Sequence, residues 1–137
     1  MNVELHIRVS EVMAEYNGNK LEYGMLDCNL MFLKAFEPEK FEQFVGTYKT
    51  VRGGAIKASK LFGFNRIEDY MEQSTDYEQI DPIYIQFGDI IVGNPDTGRE
   101  CLISMGHKKA FGVLPKGKVF GHCEIKLPPT YKIYRRV

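Results

Sequence analysis

Tyr23-Gly24-Met25-Leu26-Asp27-Cys28-Asn29-Leu30-Met31-Phe32-Leu33 reads as a turn, a cap and a helix that begins on a thiol. Asp27 suits the N-cap, because its carboxylate accepts hydrogen bonds from N–H groups that the first helical turn leaves unpaired, and an apolar run suited to a buried helix follows it. Cys28 then takes the first helical position, where those N–H groups and the helix dipole favour a thiolate. The adjacent Asp27 charge works against a second negative group. Position alone therefore leaves two readings of Cys28, a nucleophile and a small buried hydrophobe.

Upstream, Leu5, Val9, Val12, Met13 and Tyr16 recur at helical spacing and Asn17-Gly18-Asn19 supplies a stop, so residues 1–20 are expected to carry an amphipathic helix. Downstream, residues 21–81 continue in the same style. Pro38 opens a short helix containing Phe41, Phe44 and Val45, which Gly46 ends. Thr47 or Thr50 caps a segment running through Ala55, Ile56, Ala58, Leu61 and Phe62 to Gly63, and a further helix is expected from about Arg66 to Gln73 with Ile67, Tyr70 and Met71 inward. Acidic, polar residues 74–81 read as a bridge closed by Pro82.

Residues 82–137 have the texture of β-structure. Asp89-Ile90-Ile91-Val92 is a short apolar strand entered through Gly88, and Asn94-Pro95-Asp96-Thr97-Gly98 is a turn signal. Cys101 to Met105, Ala110 to Leu114, Lys118 to Phe120 and Tyr131 to Tyr134 supply further strands of an antiparallel sheet. Helices followed by strands predict a single α+β domain over 1–137 rather than an alternating α/β fold. There is no Gly-rich phosphate loop, internal repeat or low-complexity segment.

At 137 residues with 44% hydrophobic and 26% charged residues the chain can bury a core without staples. Cys28, Cys101 and Cys123 are odd in number and widely spaced, which disfavours a disulfide framework or a structural zinc site. Glu4, His6 and Arg8 interrupt the first apolar stretch, so no signal peptide is expected, and no run approaches membrane-spanning length. These features suit a reducing cytoplasm. The net charge of zero hides a division: residues 1–100 hold 10 Lys and Arg against 17 Asp and Glu, and residues 101–137 hold 8 against 1. The basic end, with Tyr131 and Tyr134 among its lysines and arginines, has no nucleic-acid recognition motif. The expectation is that the two halves complement each other within one fold or across copies of it.

Taken in order, Gly24-x-x-Asp27-Cys28, Gly46-Thr47-Tyr48, Gly54-Ala55 in a helix ending at Gly63, Gly88-Asp89-Ile90-Ile91, a strand ending in Gly106 and the tail Tyr131-x-x-Tyr134-Arg135-Arg136-Val137 form a series with a likeness. It resembles a phage-encoded family of small proteins of unknown function, which is itself similar to the NlpC-type cell-wall cysteine peptidases with their papain-like fold. The resemblance covers roughly residues 20–137. It implies a cysteine helix packed on an antiparallel sheet, and a place in tailed-phage particles or prophage tail modules.

A papain-like thiol needs a histidine base within hydrogen-bond reach and a polar group to orient it. In NlpC-type enzymes that histidine starts the strand after the Gly-Asp strand. Matched through Gly106, the position holds Glu100 or Cys101, of which the first repels a thiolate and the second is a poor base when neutral. His6 belongs to the first helix. His107 follows Gly106, roughly six residues or ~20 Å of extended chain from the required point, and reads as a turn residue. His122, in Gly121-His122-Cys123, can approach Cys28 from another strand; with Cys123 it also raises a metal site, but without a third ligand nearby.

The resulting expectation is a non-catalytic structural or adaptor protein of a tailed-phage virion, in tail, neck or connector, on a degenerate NlpC-like fold. It would be made in the host cytoplasm, with other virion proteins in a symmetric assembly as partners and with no cofactor or metal. The alternative is a cysteine hydrolase of peptidoglycan peptide or another amide. Cys28 would be its nucleophile, His122 or His107 an irregularly placed base, and the N–H groups at the helix start its oxyanion donors. Nucleic-acid contact through the basic end is a third reading.

Overall fold

Caps written into the sequence set the limits of the helices. The computed structural model describes residues 2–93, 101–106, 108–125 and 131–137. Its helices are α1 (Val3–Tyr16), α2 (Cys28–Phe36), α3 (Pro38–Phe44), α4 (Val51–Phe62) and α5 (Ile67–Gln73). The Asn2, Asp27 and Thr50 side chains accept from the third N–H of α1, α2 and α4 respectively, Pro38 opens α3, and Gly63 ends α4 in the left-handed conformation. The strands are β1 (Tyr77–Ile80), β2 (Ile90–Val92), β3 (Cys101–Gly106), β4 (Lys109–Val113), β5 (Phe120–Glu124) and β6 (Lys132–Arg136), joined in one antiparallel sheet of order β1-β6-β2-β3-β4-β5. A 3-10 turn at Pro82–Tyr84 links β1 to β2.

Helix α2 is the centre of the helical layer. Leu30, Met31, Phe32 and Ala35 have no exposed surface, and the helix packs against α1, α3 and β3. Each fully buried Leu, Met or Phe contributes about 1.5–3 kcal/mol of burial free energy. A helix apolar nearly all round must be enclosed, which is why α2 lies beneath its neighbours. Ile90 and Val92 of β2 point into this core, whereas Ile91 joins Leu102, Ala110 and Ile133 in a second apolar cluster on the other face of the sheet. A strand buried on both faces needs an unbroken apolar run, and Ile90-Ile91-Val92 supplies it.

The division of charge is answered in part inside the fold, by three of the eight basic residues of 101–137. From β6, Arg135 makes a two-pronged ion pair with the buried Asp89, both N–O distances being 2.9 Å. Arg136 reaches Glu37 at 3.0 Å and the Phe36 carbonyl at 3.1 Å, and Lys132 meets Glu68 at 2.8 Å and Glu72 at 3.2 Å. The basic tail thereby fastens the sheet to α2, α3 and α5.

Two expectations need correction. Residues 77–80 are not bridge but edge strand β1, paired with β6 from Tyr77–Arg136 to Ile80–Ile133. An edge strand hydrogen-bonds on one side only, so Glu78 and Gln79 can face water, and its local sequence lacks a strand's alternation. The last hairpin strand runs over Phe120–Glu124 instead of Lys118–Phe120, because Lys118 turns with φ of 50° after Gly117. The turn expected at 94–98 lies outside the described residues.

Gly24 and Gly18 both have positive φ, 88° and 82°, but a Cβ on Gly24 would overlap the Tyr48 carbonyl oxygen while one on Gly18 meets nothing within 4 Å. Gly18→Ala is expected to cost about 1 kcal/mol, from backbone conformation alone. Gly24→Ala should cost more than about 4 kcal/mol. Urea denaturation of both variants compares the two, and equal costs would remove the close approach from the account.

Candidate functional site

Asp27 organises the ground on which Cys28 stands. Its carboxylate, 3% exposed, accepts from Leu30 N–H at 2.8 Å and Gly24 N–H at 3.0 Å, and the Tyr48 hydroxyl donates a hydrogen bond to it. The Gly46 N–H donates to the Gly24 carbonyl at 2.7 Å, tying the same two loops through the backbone. Burial pushes the Asp27 carboxyl above the usual carboxylate range, against the pull of Gly24, Tyr48, Leu30 and Asn29. The Tyr48 hydroxyl is likewise pushed up, chiefly by burial and then by the Asp27 charge.

Cys28 is 7% exposed and donates its thiol hydrogen to Asn29 Oδ1 at 3.8 Å. It lines an open-sided cavity of about 290 Å³ between the start of α2, helix α4 and the α4–α5 connection. Phe32 and Phe44, Ala55, Ala58 and Phe62 of α4, and Arg66 and Tyr70 are among the residues that line it. Gly54 lets the Tyr48 ring lie against α4, since a Cβ there would stand 3.0 Å from two ring carbons. Of the apolar residues of α4, Ala55, Ala58 and Phe62 line this cavity, and Ile56 is 49% exposed. Tyr23 also lines the cavity, and burial followed by the nearby Cys28 and Asp27 charges raises its hydroxyl pKa.

The candidate residues do not converge. His122 sits on edge strand β5 opposite Phe111, exposed, and is not among the described residues lining the cavity. His6 packs against Phe87, the rings tilted by 31° with centres 4.5 Å apart. Cys101 starts β3 fully buried, in register with Val92. His107 and Glu100 lie outside the described residues. Among the described residues no group of three His, Cys, Asp or Glu is placed to hold a metal ion, and no helix is long and apolar enough to cross a membrane.

Comparison with protein families finds a match to the family described as Domain of unknown function (DUF6950), over residues 3–126. The chain belongs to this family. No curated protein matches the sequence. The match takes in the Asp27-Cys28 turn, all of the described cavity wall and the sheet as far as β5, so the site described above lies within the family's domain.

Sequence reasoning had marked Asp27 as a cap without seeing that it also holds Tyr48, and Arg66 had no role at all. One local signal was present. Gly53-Gly54 inside a helix costs about 1 kcal/mol per glycine relative to alanine, which is reasonable only where another group approaches closely.

The Asp27 pKa supplies a test with a definite sign. A carboxyl whose folded pKa is raised binds its proton more tightly in the folded state, so its contribution to stability is greatest below the unfolded value of 3.8 and declines as pH rises through the raised folded value. Asp27→Asn cannot titrate, and it presents an N–H₂ group to donors that need an acceptor. We expect it to cost about 1–2 kcal/mol near the unfolded carboxyl pKa, with the gap to the parent narrowing as pH rises. Denaturant titrations across that range measure it, and a gap that widened with pH would contradict the assignment.

Proposed function

We propose that this protein is a structural or adaptor component of a tailed-phage virion, in the tail, neck or connector, on an NlpC-like frame whose cysteine cleft has lost its hydrolytic role. The observation that carries the non-catalytic part is Cys101. On the resemblance to NlpC-type enzymes, the base histidine belongs at the start of the strand that follows Gly88-Asp89. Matched through Gly106, that position is Glu100 or Cys101, and Cys101, the first described residue of the strand, has no exposed surface. A buried thiol is a poor proton acceptor, and neither His6 nor His122 is among the described residues that line the cavity with Cys28. The phage assignment is supported by the ordered series of motifs from Gly24-x-x-Asp27-Cys28 to the Tyr-Arg-Arg-Val tail.

Two measurements test this reading. Mass spectrometry of purified particles should find the protein at a fixed ratio to the tail proteins, and its absence from particles would overturn the virion role. Iodoacetamide at neutral pH should modify the half-buried Cys123 before Cys28 in the folded protein. Alkylation of Cys28 first among the three would count against a packed thiol.

A second reading has one observation in its favour. The cavity opens beside Cys28 at the first position of α2, where the positive end of the helix dipole favours the negative charge that develops on a carbonyl under attack. On this reading the protein is a cysteine hydrolase of peptidoglycan peptide or another amide. Release of peptide fragments from purified peptidoglycan that disappears in Cys28→Ala, with the fold intact by circular dichroism, would establish it in place of the first.

A further inference from the structure

We infer that the cavity beside Cys28 is a binding site for a small apolar carboxylate, with the hydrocarbon part against the aromatic wall and the carboxylate on Arg66. The inference concerns the cavity and goes beyond the role in the particle, so either can fail without the other. A volume of about 290 Å³, at about 30 Å³ per water-sized unit, holds roughly ten non-hydrogen atoms. The wall is already assembled: Phe62 stacks on Phe64 with centres 5.9 Å apart, and Phe64 stacks on Tyr70 at 4.6 Å. A pre-formed apolar wall spares a ligand the ordering cost that a mobile one would impose.

Charge complementarity selects the other end of the ligand. Apart from the thiol and the tyrosines, the ionisable side chains among the described lining residues are Asp27 and Arg66. Asp27 is turned into its own caps and Tyr48, with its oxygens engaged by Leu30, Gly24 and that hydroxyl. Arg66 is at the surface, its side chain 46% exposed, and approaches Glu68 only to 3.8 Å, while Glu68 has the nearer Lys132 at 2.8 Å. A ligand entering the cavity therefore meets a guanidinium at the rim and aromatic carbon within. The planar fork of arginine matches a carboxylate with two parallel hydrogen bonds.

Isothermal titration of the full chain with 3-phenylpropionate, and with 3-phenylpropionamide as its neutral isostere, tests the proposal. The carboxylate should bind about tenfold more tightly than the amide. Arg66→Gln should bring the carboxylate down to the affinity of the amide and leave the amide unchanged. Ala58→Phe should abolish binding of both by filling the cavity. Melting curves establish that each variant is folded; should Ala58→Phe not fold, protection of Cys28 but not Cys123 from iodoacetamide by 3-phenylpropionate reports occupancy in the parent protein. No binding up to about 10 mM, equal affinity for acid and amide, or an Arg66→Gln variant that keeps its preference for the acid would overturn it.

Discussion

The buried carboxylate of Asp27 is the constraint on which the rest of the helical layer depends. It caps α2, closes the turn at Gly24 and holds Tyr48 from the loop before α4. A carboxylate so enclosed is costly to desolvate and is tolerated because every described bond to it comes from a donor. Those donors come from three separate segments, so the cap also fixes the distance between them. The left-handed Gly24 and the close Tyr48 carbonyl leave the turn little freedom to adjust.

That constraint explains the cavity. Tyr48 is held by Asp27 on one side and meets Gly54 on the other, so the start of α4 is set at a fixed distance from the start of α2. At its far end Phe62 packs in the aromatic series with Phe44, Phe64 and Tyr70. Between the two anchors α4 presents small residues, Ala55 and Ala58, which do not reach across to Phe32 and Leu33. A gap bounded by rigid aromatic rings persists where flexible side chains would have collapsed into it. Cys28 borders that gap because the first residue of α2 is set by the Asp27 cap.

Much of the architecture was legible in the chain. Helix α1 ends, α2 and α3 begin and α4 ends where Asn17-Gly18, Asp27, Pro38 and Gly63 indicate, since caps and breakers act on neighbouring residues, and of Thr47 and Thr50 it is Thr50 that caps α4. The apolar residues of α4 were legible as a stripe, but a stripe facing a core and a stripe facing a cavity have the same period. β1 was missed because its order comes from β6, which it meets only in the folded state. Asp27-Cys28 was visible as a capped thiol, whereas Tyr48 and Arg66 reach the site from loops whose composition carries no signal of it.

The sequence by itself determined an α+β chain with a capped, largely apolar helix starting at Cys28, and an antiparallel sheet that includes the apolar strand Ile90-Ile91-Val92. These follow from propensities, caps and periodicity, all of which act within a few residues. Only the tertiary structure decided that β6 inserts between β1 and β2, that Arg135 of β6 pairs with Asp89, and that His122 is not among the described residues lining the cavity beside Cys28. Such outcomes depend on pairing residues far apart in the chain. No local pattern records which distant partner a charge or a strand edge will meet.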